Sequence, residues 1–137
     1  MPKSGVEIDV LLIEDEMLAA AAVTALLESY SYTVKAACNG REALTILESG
    51  CRPALILLDL RMPVMNGFEF CLELERNEAF REMPVAIVSG EGVRKEQLPV
   101  RHVDAGVFWK PVDFEKLLTA VRSYCGQPES HTAAAVC

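Results

Sequence analysis

The chain has 137 residues, 51% of them hydrophobic and 24% charged, with a formal net charge of −7. That length suits one packed domain, and such a composition excludes an intrinsically disordered chain. The acidic balance repels phosphate backbones, so this domain is not expected to bind nucleic acid.

No apolar run approaches the roughly 20 residues of a membrane helix, so no membrane association is expected. The opening Met1-Pro2-Lys3-Ser4-Gly5-Val6-Glu7 lacks the apolar centre of a signal peptide. Cys38, Cys51, Cys71, Cys125 and Cys137 form no C-x-x-C pair, and their number is odd. A secreted disulfide framework and a zinc site both fit poorly, and reduced thiols in a cytoplasmic protein fit better.

Along the chain, short apolar runs alternate with helical patterns. Val10 to Ile13 is dense and apolar and ends in Glu14 and Asp15. Met17 to Tyr30 follows, with Val23, Leu26, Leu27 and Tyr30 on one helical face, and Asp15 is read as helping to cap that helix. Thr33 to Ala37 is a short second strand. Asn39-Gly-Arg-Glu42 carries a cap and an acid three residues later, which opens a helix striped by Ala43, Leu44 and Leu47 and stopped at Gly50. Ala54 to Leu58 is continuously apolar and ends in Asp59. Asn66-Gly-Phe-Glu69 repeats the capping signature for a third helix.

Val85 to Val88 is the fourth apolar run and ends in Ser89; Val107 to Trp109 is the fifth and ends in Lys110. Between Glu91 and Asp104, Gly92 and Pro99 interrupt a sparse pattern, which predicts a short or irregular fourth helix. Asp113 caps a last helix whose Leu117, Leu118, Val121 and Tyr124 share a face. Residues 1–125 read as one domain. Residues 126–137 are rich in small and polar types and read as a flexible tail or a linker remnant.

Runs that are apolar throughout suit strands covered on both faces, as in parallel sheets of α/β proteins. Strand–helix units with short connections then predict a doubly wound open sheet. Such sheets bind ligands beyond the carboxyl ends of their strands. The residues predicted at those ends are Glu14, Asp15, Asp59, Ser89 and Lys110. Taken singly, each reads equally well as a solvated loop residue or a turn former. Taken together they make chemical sense. Three carboxylates in one crevice repel one another and call for a cation. Carboxylate oxygens, with no His or Cys among them, favour Mg²⁺ over zinc or copper. A metal, the Lys110 ammonium and the Ser89 hydroxyl would suit a phosphoryl group, with a carboxylate as nucleophile.

At this point the chain resembles the receiver domain of bacterial two-component response regulators. The resemblance covers about residues 7 to 125. It rests on Leu-Leu-Ile-Glu14-Asp15-Glu, on Leu-Leu-Asp59-Leu-Arg-Met62-Pro63-x-Met-Asn66-Gly67, on Pro84-Val-Ala-Ile-Val-Ser89-Gly90 and on Phe-Trp-Lys110-Pro111. It implies a flavodoxin-like, five-stranded parallel sheet of strand order 2-1-3-4-5. It also implies a phospho-acceptor switch rather than an enzyme in the ordinary sense. Asp59 would be the acceptor, and Glu14, Asp15, Asp59 and the backbone carbonyl of Arg61 would hold Mg²⁺, with Mn²⁺ as a substitute. Ser89 would bond the phosphoryl group and start the switch, and Lys110 would be its charge partner, followed by a cis bond to Pro111. The phosphoryl donor would be a sensor histidine kinase or a histidine phosphotransfer protein, and the outcome a change of contacts with a downstream protein.

Two residues depart from the family pattern, Val107 and Gly90, the latter following Ser89 where alanine is commoner. Receivers usually carry an aromatic three residues before the lysine, and here that position is Val107; Phe108 falls on the opposite strand face. Arg61 and Glu91 flank the site and would pair across its mouth or stand as two solvated charges. His102 and His131 read as surface residues.

Three rivals are weaker. A haloacid-dehalogenase-type phosphatase wants a second Asp where Arg61 stands. A flavin or nucleotide module wants a Gly- or Ser-rich loop where Glu14-Asp15-Glu16-Met17 stands. A pseudo-receiver would lack members of the five-residue set.

Overall fold

The computed structural model describes residues 7–60, 64–90 and 106–126. In chain order these form β1 (Glu7–Ile13), α1 (Met17–Ser29), β2 (Val34–Ala37), α2 (Gly40–Glu48), β3 (Arg52–Asp59), α3 (Gly67–Arg76), β4 (Val85–Ser89), β5 (Val107–Trp109) and α4 (Phe114–Cys125). The fourth helix expected between Glu91 and Asp104 lies outside the described residues, as do Arg61, His102, His131 and all but the first residue of the expected tail, so α4 is the predicted last helix.

All strand pairs are parallel, in the order β2-β1-β3-β4-β5. The alternation of side chains explains why the strands are apolar without a break. Leu11 and Ile13 of β1 and Ile56 and Leu58 of β3 face one core, which α2 and α3 close with Ala43, Leu47, Phe70 and Leu74. Val10 and Leu12, with Leu55 and Leu57, face the second core, closed by Leu27 of α1 and by Leu117 and Val121 of α4. Each fully buried Leu contributes on the order of 2 kcal/mol of transfer free energy, so neither sheet face tolerates a polar residue at these positions.

The helix starts follow local chemistry. Asn39 Oδ1 accepts the Glu42 N–H at 2.8 Å. Asn66 and Glu69 form a complete capping box, each side chain accepting the other's backbone N–H at 2.9 Å. Asp113 accepts from Glu115 and Lys116.

The first helix departs from its prediction. Its cap is Glu16, whose Oε1 accepts the Ala19 N–H at 3.1 Å, rather than Asp15. Its apolar face is also less buried than the spacing suggests: Leu27 is fully buried while Tyr30 is exposed. The reason is composition. With alanines at 19–22 and at 25, several faces of this helix are apolar, so periodicity does not single out the one that packs. Tyr124 of α4 is likewise exposed.

Candidate functional site

The parallel register brings the strand ends to one edge. Ile13 pairs with Leu58, so Glu14 and Asp59 leave the sheet side by side. Asp59 in turn pairs with Val88, and Ser89 with Trp109, so Ser89 and Lys110 lie one step further along their strands. Lys110 N–H donates to the Ser89 carbonyl at 2.8 Å, which ties the β5 exit to β4.

The side chains converge on a charged cluster. One carboxylate oxygen from each of Glu14, Asp15 and Asp59 lies within 4.8 Å of the others. Glu14 and Asp59 are buried and Asp15 is exposed. The Lys110 ammonium lies 3.0 Å from Asp59 Oδ2 and 3.1 Å from Glu14 Oε1, bridging the two buried acids. Glu14 Oε2 accepts the Glu16 N–H at 3.1 Å.

Burial pushes the Glu14 carboxyl above its ordinary value, with the Lys110 hydrogen bond pulling the other way and the Asp59 charge adding to the rise. Burial would lower the Lys110 ammonium, but the hydrogen bonds to Asp59 and Glu14 outweigh it and the net shift is upward. Each follows from taking charge out of water beside a partner.

Ser89 is fully buried, and its Oγ has no hydrogen-bond partner among the described residues. Strand alternation places it on the face of Ile87, opposite the face that Asp59 shares with Leu57, although both stand at the same edge. The structure therefore brings Glu14, Asp15, Asp59 and Lys110 into one cluster and sets Ser89 beside it with an unused donor. An unsatisfied buried hydroxyl costs about 1–3 kcal/mol, and such groups point to a missing acceptor.

The segment after Asp59 is pinned at both ends. The Gly67 N–H donates to the Leu60 carbonyl at 3.0 Å, and the Gly40 N–H donates to the Met65 carbonyl at 3.0 Å. Gly67 packs so closely that a Cβ there would lie 2.6 Å from Leu60 Cα and 2.9 Å from the Asp59 carbonyl oxygen. The Lys110–Pro111 peptide is cis.

All donors in the acidic cluster are oxygen atoms, which fits a hard divalent cation and not zinc or copper. Val107 packs against the core of α2 and α3, and Phe108 against the core of α1 and α4, as strand alternation requires. Trp109 is 46% exposed. The residue that sequence reasoning missed is Glu16. Its side chain takes over the capping of α1 and leaves Asp15 free to face the cluster. The only available signal was its place directly before the helical run.

The profile of the response regulator receiver domain matches residues 10–122. The chain belongs to that family.

The receiver domain is 28% identical over 127 residues to the polar-differentiation response regulator DivK of Brucella anthropi, covering 92% of this chain and 98% of that protein. It is 28% identical over 116 residues to the probable transcriptional regulator ycf29 of Pyropia yezoensis, covering 82% of this chain. The chain spans about half of that relative's length, at 51%. A response regulator receiver protein from Pseudomonas putida superposes with a TM-score of 0.76 at 26% identity, covering 89% of this chain and 99% of that one. The flavodoxin-like fold and the sheet order expected from sequence are those observed. Membership places the domain in two-component phosphorelay signalling, as a phospho-acceptor switch rather than an enzyme of ordinary type. No helix among the described residues is long and apolar enough to cross a membrane.

Proposed function

We propose that this receiver domain accepts a phosphoryl group on Asp59 in a Mg²⁺-dependent reaction and thereby switches its contacts with a downstream protein. The observation that carries the reading is the buried pair Glu14 and Asp59 bridged by Lys110 at 3.1 and 3.0 Å, with Asp15 beside them.

Glu14, Asp15, Asp59 and the backbone carbonyl of Arg61 would hold the ion, and Mn²⁺, which also accepts oxygen ligands, would substitute for it. Such an ion, when bound, would supply positive charge to offset these carboxylates and to polarise a phosphoryl group. An Asp59 oxygen attacks phosphorus as the bond to the donor's histidine nitrogen breaks; that nitrogen keeps the electron pair and takes up a proton. Lys110 stays against the growing charge and pairs with one phosphoryl oxygen. Ser89, whose hydroxyl has no partner among the described residues, donates to another. The donor class is a sensor histidine kinase or a histidine phosphotransfer protein, on the strength of the family. The setting is cytoplasmic, in keeping with the free thiols of Cys38, Cys51, Cys71 and Cys125.

The test is the intact mass of the protein after incubation with acetyl phosphate and Mg²⁺. The expected gain is one phosphoryl group, abolished by EDTA and absent in Asp59→Ala. A gain that persists in Asp59→Ala would overturn the assignment of the acceptor.

A further inference from the structure

An open cleft of about 390 Å³ lies between α1 and the segment leaving β5. It is lined chiefly by Ala19, Ala22, Val23, Val112 and Phe114, with Glu14, Glu16 and Lys110 among its polar lining. Its size falls within the range of small-molecule sites, roughly 300–1,000 Å³, and a largely apolar wall with a few charged groups is their usual make-up. The phosphoryl chemistry above uses neither its apolar wall nor Glu16.

The charges select the ligand. Lys110 is already held by two buried carboxylates, Glu14 and Asp59. An anionic ligand in this cleft that approached the ammonium would also meet those two carboxylates, which repel it when no cation is bound beside them. Glu16 is different. One of its oxygens caps α1 by accepting the Ala19 N–H. Its side chain is exposed, and no cation pairs with it among the described residues. A cation therefore meets an available carboxylate here, whereas an anion meets only occupied or repelling groups.

We infer that this cleft is a binding site for a small amphipathic amine, its short aliphatic body lying between Ala19, Ala22 and Val23 on one side and Val112 and Phe114 on the other, and its ammonium paired with Glu16. The apolar body supplies contact area and the single charge supplies discrimination.

The experiment is a methyl NMR titration of the full chain in EDTA, with hexylamine, hexan-1-ol and hexanoate as separate probes. Hexylamine is expected to shift the methyls of Ala19, Ala22, Val23 and Val112 and to bind up to about fivefold tighter than hexan-1-ol, the range of one exposed ion pair. Hexanoate is expected to bind weakest. Glu16→Gln keeps a capping oxygen and should lower hexylamine affinity to that of the alcohol, with the alcohol's own affinity unchanged. Ala22→Phe, at an exposed helix position, should fill the cleft and weaken all three. Equal binding by the three probes would overturn the inference. So would unaltered hexylamine affinity in Glu16→Gln, shifts confined to other methyls, or no hexylamine binding at all.

Discussion

Lys110 Nζ lies 3.0 Å from Asp59 Oδ2, although the two residues leave strands that are not neighbours. β4 runs between β3 and β5, and the ammonium crosses its end to reach the acid. The same ammonium holds Glu14 at 3.1 Å. One partly exposed cation thus compensates two carboxylates that are each under 10% exposed.

Removing that cation leaves like charges buried together. Lys110→Met is expected to lose about 1–3 kcal/mol of stability in EDTA, a modest figure because the lysine is itself a third exposed. Millimolar Mg²⁺ should restore part of the loss by supplying positive charge at the same acids. Urea denaturation with and without the ion reads both effects; equal stability of wild type and variant in EDTA would show that the bridge is not a stabilising contact.

Ser89 predicts the opposite sign. Its hydroxyl is buried and spends nothing on a hydrogen bond among the described residues. Ser89→Ala should leave the unphosphorylated protein as stable as wild type or more stable, by up to about 1 kcal/mol. The phosphorylated form of the variant should lack the amide chemical-shift changes along β4 that wild type shows. A stability loss above 1 kcal/mol would mean that the hydroxyl already has an acceptor.

Gly67→Ala tests the loop after Asp59. The added methyl carbon meets backbone atoms, Leu60 Cα at 2.6 Å and the Asp59 carbonyl oxygen at 2.9 Å, so no rotamer relieves it. A loss of about 2–4 kcal/mol is expected in thermal or urea unfolding. Slower phosphorylation from acetyl phosphate should accompany it, because the strain falls on the Asp59 backbone. A variant with wild-type stability and rate would refute the close packing.

Alkaline pH should weaken the fold through Cys71. Burial pushes this thiol from 9.0 up to about 12, with the Glu75 charge adding to the rise. A group whose pKa is raised by folding contributes its full stability below the unfolded value and loses it as pH climbs through the folded one. The loss therefore runs between pH 9 and about pH 12, at roughly 1.4 kcal/mol per unit. Cys71→Ala should flatten the stability profile in that window relative to wild type while leaving the slope below pH 8 unchanged. Parallel profiles for the two proteins would rule the thiol out as the cause.

What the sequence determined by itself is what local rules control. The apolar runs Val10–Ile13, Ala54–Leu58 and Val85–Val88 are legible as doubly covered strands because both faces of a parallel sheet need the same chemistry. The caps at Asn39, Asn66 and Asp113 are legible because a side chain and a backbone N–H three residues on suffice to make them. The candidate residues were legible as strand ends.

Only the tertiary structure decided how those ends meet. That Lys110 reaches over β4 to bridge Glu14 and Asp59, and that Ser89 stands beside them with its hydroxyl unpaired among the described residues, both depend on register between segments far apart in the chain. Periodicity carries no information about register. On α1 it carried little even about the buried face, since a run of alanines gives several faces the same hydropathy and leaves the choice to the neighbouring helix and sheet.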